Sequence, residues 1–383
     1  MTAATHVRSV PASPAPASER PRGVRADSSG RYDVLDAVRG LAVLAMIAVH
    51  LIGAEGGVSA FGRGLTYFLA RIEPTTGAMF CVVAGISWAI QAERSGVTPA
   101  FRRYLGVRAL ALGVFGVVFH ALLWRTEILI AFAMMMALSL VVLGRGPRAT
   151  LVMLVLFIAV TPLVTHLVGN YARTDWMMDG SHLADSAFGW VTVRSLFFDG
   201  NYPLVSWMAF PLMGILFWQT ARSRDALRRW CVGAIAVALV AQAIAILGAP
   251  RLDALEYTQR YVEMGWTPTS AMFLLTAGIS SLAIIAALLW SHGTASMSRP
   301  LQPIVLFGRA SLTHYVLHIA VAYSALRLMY PDEDWPLRVG ALAMVIYLAI
   351  GVPLTMVWFR RHTHGPFEAA WARASRRPPA RQG

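Results

Sequence analysis

WCVGAIAVALVAQAIAILGAP, residues 230–250, contains no charged side chain, and LVMLVLFIAV, residues 151–160, is wholly apolar. A helix needs roughly 20 apolar residues to cross a bilayer core about 30 Å thick. The whole chain agrees with that reading. Of its 383 residues 57% are hydrophobic and only 14% charged, with a mean hydropathy of +0.56. A soluble domain carries about 25% charged residues, so this chain has too little charge to cover a surface facing water. The fold class that follows is an all-α integral membrane protein.

Working outward from those runs, about ten transmembrane helices are expected, near 34–53, 76–92, 104–123, 127–144, 150–169, 203–219, 231–247, 269–290, 304–327 and 337–359. Arginine in the connections tests that count. It collects in the N-terminal tail, in the second connection (Arg94, Arg102, Arg103), the fourth (Arg145, Arg148), the sixth (Arg222, Arg224, Arg228, Arg229), weakly in the eighth (Arg299), and in the C-terminal tail. The other connections are mixed or acidic, as in Asp332–Glu333–Asp334. Arginine therefore largely alternates with each crossing, which predicts both termini in the cytoplasm. The net charge of +13 belongs to the same pattern and not to nucleic-acid binding. Three regions result: a disordered cytoplasmic tail at 1–33, rich in Pro, Ala, Ser and Arg, a ten-helix domain at 34–359, and a basic cytoplasmic tail at 360–383. Cys81 and Cys231 both fall inside spans and imply no disulfide framework.

Polar residues inside spans are the informative ones, because each is costly to bury unless paired or facing water. The first span reads LDAVRGLAVLAMIAVHLIG. Asp36 and Arg39 are three apart and can pair on one face. His50 lies eleven residues beyond Arg39, about 20° past three full turns, so the two share a face about 16 Å apart along the axis. That geometry suits a donor with phosphates at one end and a reactive acyl group at the other. A guanidinium binds phosphate bidentately, and an imidazole can take a proton from an attacking hydroxyl or amine. Snorkelling of Arg39 to headgroups and interhelical bonding by His50 explain the same residues.

The ninth span carries FGRASLTHYVLH. His314 and His318 are one turn apart beside Thr313 and Tyr315, and on a continuous helix Arg309 points about 180° from His318, toward the cytoplasmic rim. No HExxH pattern accompanies the pair, so interhelical bonding or substrate contact is expected of it, not metal binding. His120, Arg125 and Glu127, with His166, sit at the outer ends of their spans, where they line a vestibule near His50 or are solvated helix ends. Asn201, Tyr202 and Pro203 followed by Trp207 read as a turn into the sixth span with an interfacial aromatic anchor, and Gly85–Ala89 (GISWA) and Ala277–Ser281 as helix-packing surface.

LDAVRGLAVLAMIAVH resembles the first helix of acyltransferase-3 membrane proteins, whose pattern is Arg, ten residues, then His. MFCVVAGISWAIQ is similar to that family's second helix, and FRRYLGVRAL to the start of its third. NYPLVSWMAFPLMG, WTPTSAMFLLTAGISSLAII, GRASLTHYVLH and HGPFEAAW are more similar to bacterial relatives of heparan-alpha-glucosaminide N-acetyltransferase. The resemblance implies transfer of an acyl group, often acetyl from acetyl-CoA, to an acceptor across the membrane. It makes Arg39 and His50 the functional pair, Arg102, Arg103 and Arg108 candidates for the donor entrance, and Gly308, Arg309, Thr313 and His318 a later motif. The heparan branch has a histidine in its first lumenal loop, and residues 53–75 here have none. Either His50 takes that role or the chemistry is absent.

The leading expectation is a multi-pass membrane O- or N-acyltransferase using acyl-CoA, acetyl-CoA above all, as co-substrate and no metal. Arg39 with Arg102, Arg103, Arg108 and Arg309 holds the donor, and His50 serves as base or acyl carrier. Asp36, His120, Glu127, Thr313, His314 and His318 are substrate or supporting candidates. The acceptor is a carbohydrate of the envelope or a secreted metabolite, the surroundings are the lipids of the cell membrane, and an oligomer is compatible with the sequence. A transporter or flippase without covalent chemistry is the rival, and a lipid-binding pseudo-enzyme the third possibility.

Overall fold

The computed structural model describes residues 32–52, 60–124, 127–167, 195–199, 202–252, 271–292, 297, 299–332 and 335–374. The tail at 1–31, Arg125, most of the two long connections at 170–202 and 249–268, and the side chain of His166 lie outside the described residues. Among the described residues regular structure is helical throughout.

Helix α1 spans Asp33–Ile52, α2 Ala60–Ser95, α3 Pro99–Leu122, α4 Leu129–Ser139 and α5 Pro147–Leu167. There follow α6 at Leu204–Thr220, α7 at Arg224–Leu252, α8 at Ala271–His292, α9 at Gln302–Arg309, α10 at Ser311–Met329, α11 at Leu337–Phe359 and α12 at Pro366–Arg373. Each expected span has a helical counterpart. Among the described residues, 5 helices are long and apolar enough to cross a membrane: Asp33–Ile52, Thr75–Ser95, Pro99–Leu122, Phe273–His292 and Leu337–Phe359. Apolar side chains also face outward along α3, α5, α7 and α11, as with Val114, Leu151, Leu239 and Leu354. Only 6% of the apolar window of α11 is buried. A helix so apolar on its exposed side is solvated by lipid, not water, and the chain is a membrane protein.

The expected ninth span is not one straight helix. Arg299–Arg309 and Ser311–Met329 meet at a 70° bend, with Ala310 out of helical geometry between them. On the N-terminal side of the break α9 packs closely against α1. Gly308 lies on the Asp36 carbonyl and Gly40 on the Ile304 carbonyl, so a β-carbon at either would strike backbone. Gly85 and Gly214 allow the same close approach between α2 and α6. Helix α1 thus sits at the centre, against α2, α9 and α11. Its last turn is tied off by Trp335, whose indole N–H donates to the Leu51 carbonyl at 2.9 Å.

Trp207 is not an interfacial anchor. It is fully buried, with its ring edge over Gly77 and Phe210 and Tyr202 around it. Likewise the region after 359 is not wholly a tail, since α12 folds back onto α3 and α10.

Candidate active site

The inward faces of α1 and α2 enclose a cavity of about 710 Å³. On α1 the lining positions include Leu35, Asp36, Arg39, Val43, Met46 and His50, one helical face along its whole length. On α2 they include Glu73, Thr76, Phe80, Ala84, Ser87, Gln91 and Arg94, positions at three- and four-residue spacing. One end is basic and aromatic, with Arg39, Arg94, Arg108, Arg309, His362, His364 and Trp371. His50, Glu73, Thr76 and Tyr202 line the other. Arg39 and His50 therefore open onto the same space at opposite ends.

The basic end is an interlocked charge cluster. Arg39 Nη1 donates to Asp36 Oδ1 at 2.5 Å, and Nη2 donates to Ser87 Oγ. Ser87 spends its own proton on the Val83 carbonyl at 2.7 Å, which turns its lone pairs toward Arg39. Arg309 Nη2 donates to Asp33 Oδ1 at 2.8 Å, and its Nε lies 3.3 Å from Asp36 Oδ2. Two arginines and two aspartates thus lock α9 to the first turn of α1. The aspartates also suit the partial positive charge of that helix start. The two arginine side chains are 21% exposed and the two aspartates 6% and 3%, so it is the cations that face the opening. The face argument on a continuous helix does not apply to Arg309 and His318, because the 70° bend separates them. Both meet α1, Arg309 at Asp33 and Asp36, His318 at His50.

Of the proposed donor arginines, Arg108 reaches the cavity, its guanidinium 3.7 Å above the Trp371 ring. Arg102 and Arg103 do not line it; both are exposed, and Arg102 donates to the Leu140 carbonyl at 3.1 Å. Arg94, which the sequence reading left among the loop charges, lines the cavity in their place.

At the far end His50 Nδ1 lies 2.9 Å from His318 Nε2, and His318 Nδ1 lies 2.9 Å from the His314 carbonyl. His314 turns the other way, bonding Tyr347 Oη at 3.0 Å and Thr355 Oγ1 at 2.9 Å on α11 and stacking on Phe307. One turn of sequence spacing thus leads to two unrelated environments. Neither His120 nor Glu127 lines the cavity. Glu127 caps α4, accepting from the Leu129 amide and from Ile130 at 3.2 Å. Thr313 is held by Glu368 of α12, donating to Oε2 at 2.6 Å.

Sequence reasoning missed Ser87, reading GISWA as packing surface alone. Gly85 does pack against α6, but Ser87, Gln91 and Arg94 continue the polar face begun by Glu73 and Thr76. That spacing was the available signal.

Fold and site together define a polytopic helical membrane protein with an internal cavity that is basic at one end and lined at the other by His50, which is bonded to the buried His318 behind it. Residues 31–258 match the family model described as heparan-alpha-glucosaminide N-acetyltransferase, catalytic. The chain belongs to that family, and the relation to membrane acyltransferases of this kind expected from the sequence is shown. Residues 214–378, which include GRASLTHYVLH and HGPFEAAW, match a second model, described as a protein of unknown function (DUF418). No curated protein sequence matches the chain.

Proposed function

We propose that this protein is a membrane acyltransferase that moves an acyl group, acetyl above all, from acyl-CoA to a hydroxyl or amine of an envelope sugar or secreted metabolite. The observation that carries the reading is the single cavity onto which both Arg39 and His50 open. The chain crosses the cell membrane ten times with both termini in the cytoplasm, so the basic end faces the cytoplasmic donor pool and His50 the outer side. Arg39, Arg94, Arg108 and Arg309 attract the donor phosphates. Asp36 and Ser87 hold the Arg39 guanidinium in place. At the other end an acceptor reaches His50 past Glu73, Thr76 and Tyr202. His50 takes the acceptor proton as the oxygen or nitrogen attacks the thioester carbonyl, the C–S bond breaks, and the departing sulfur takes that proton.

The test is CoA release from acetyl-CoA by the purified protein, with glucosamine as an amine probe and a neutral sugar as a hydroxyl probe. His50→Ala should lose about 10²- to 10⁴-fold in turnover, the usual contribution of a general base. Wild-type turnover in His50→Ala would remove the assigned role. Accumulation of sugar in vesicles without CoA release would replace the enzyme with a transporter.

A further inference from the structure

We infer that His318 is a positioning residue that sets the tautomer of His50 and presents the His50 Nε2 lone pair to the cavity. This deepens the reading of His50 as the proton acceptor and rests on it. The starting point is the His314 carbonyl, which can only accept. The His318 Nδ1 facing it at 2.9 Å therefore bears a proton. A neutral His318 then carries its lone pair on Nε2, and that atom lies 2.9 Å from His50 Nδ1. Two lone pairs do not meet at that separation, so His50 Nδ1 bears a proton and donates, leaving Nε2 as the basic nitrogen.

The ring geometry supports this direction. The two imidazoles are nearly coplanar, 11° apart, with centroids 5.2 Å apart. That is the separation of rings meeting nitrogen to nitrogen in their own plane, where the Nε2 lone pair points. His318 is fully buried, edge-on to Tyr315, so water does not compete for the bond. It also begins a π-helical stretch, His318–Tyr323, a local departure from regular helix of the kind frequent at functional sites.

During transfer the acceptor proton goes to His50 Nε2 and passes to the departing CoA sulfur. The Nδ1 proton stays between His50 and His318 throughout, stabilising the transient imidazolium, while His318 keeps its bond to the carbonyl. The arrangement is an orienter behind a base, with a second histidine in the role a carboxylate fills in a Ser-His-Asp triad.

The experiment uses the full-length protein in nanodiscs. ¹⁵N-histidine NMR, assigned with His50→Ala, should find the resting His50 protonated on Nδ1 and not on Nε2. His318→Leu, which removes the acceptor, should lower CoA release about 10- to 100-fold, the range for loss of a supporting partner, with acetyl-CoA affinity unchanged. His318→Gln can accept from His50 and donate to the His314 carbonyl, and should recover most of that loss. A His50 protonated on Nε2 in the wild type, or a His318→Leu protein turning over at the wild-type rate, would overturn the inference. The NMR assignment needs no turnover, so it judges the tautomer even if His50→Ala proves fully active and the acyltransfer reading fails.

Discussion

Helix α10 begins abruptly after the bend at Ala310, so the amides of its first turn have no partner one turn earlier. The structure satisfies them from the far end of the chain. Leu312 N and Thr313 N donate to Glu368 Oε1 at 2.6 and 3.1 Å, and Thr313 Oγ1 donates to Oε2 at 2.6 Å. Glu368→Ala removes all three bonds. At about 0.5–1.5 kcal/mol net for each, the loss is about 1.5–4.5 kcal/mol, or about 10- to 2,000-fold in the equilibrium holding α12 against the bundle. The ties that remain are Trp371 Nε1 to the Arg108 carbonyl at 2.9 Å, the Arg108 guanidinium over the Trp371 ring, Phe367 N to Thr313 Oγ1 at 3.2 Å and Phe367 against Phe115. Hydrogen exchange should therefore show amides 367–373 losing protection while α1 and α2 keep theirs. Burial holds the Glu368 carboxyl above its ordinary 4.5, against the donors from Thr313 and Leu312 that lower it. Since the docked value is the raised one, protection should be full below about pH 4.5 and weaken as pH climbs through that raised value. Glu368→Gln, neutral and isosteric, should stay docked and lose the pH dependence. Unchanged protection of 367–373 in Glu368→Ala would refute the argument.

Two further substitutions test the frame of the site. Gly308→Ala drives a β-carbon into the Asp36 carbonyl and should cost at least about 1–3 kcal/mol, lowering the melting temperature in detergent. Gly106→Ala meets nothing within 4 Å and should be neutral or stabilising; equal effects of the two would sink the close-packing account. Arg309→Met takes the cation from Asp33, leaves Asp36 to Arg39 alone of the two arginines, and should destabilise by about 3–5 kcal/mol. Adding Asp33→Asn should recover part of that loss, whereas strict additivity in the double-mutant cycle would show that the pair is not coupled.

Much of the site was legible in the first helix. Asp36, Arg39 and His50 share a face because eleven residues nearly complete three turns, and that face does line the cavity. The polar face of α2, from Glu73 through Ser87 to Arg94, obeys the same arithmetic and went unread because glycine and alanine around Ser87 suggested packing alone. Arg102 and Arg103 failed as cavity residues because a run of basic residues does not say which of its members faces inward. Only Arg108, one turn deeper into α3, does so.

The sequence by itself determined the solvent of this protein and the period of its helices, since hydropathy and residue spacing are local properties. Tertiary structure decided everything that depends on two distant segments meeting. It bent the ninth span at Ala310 and laid Gly308 on α1. It sent His314 to α11 and His318 to His50 from adjacent turns, and it used a glutamate 55 residues away to cap Thr313. No one-dimensional pattern encodes those pairings, because the partner of a buried polar group is chosen by which helix packs against it.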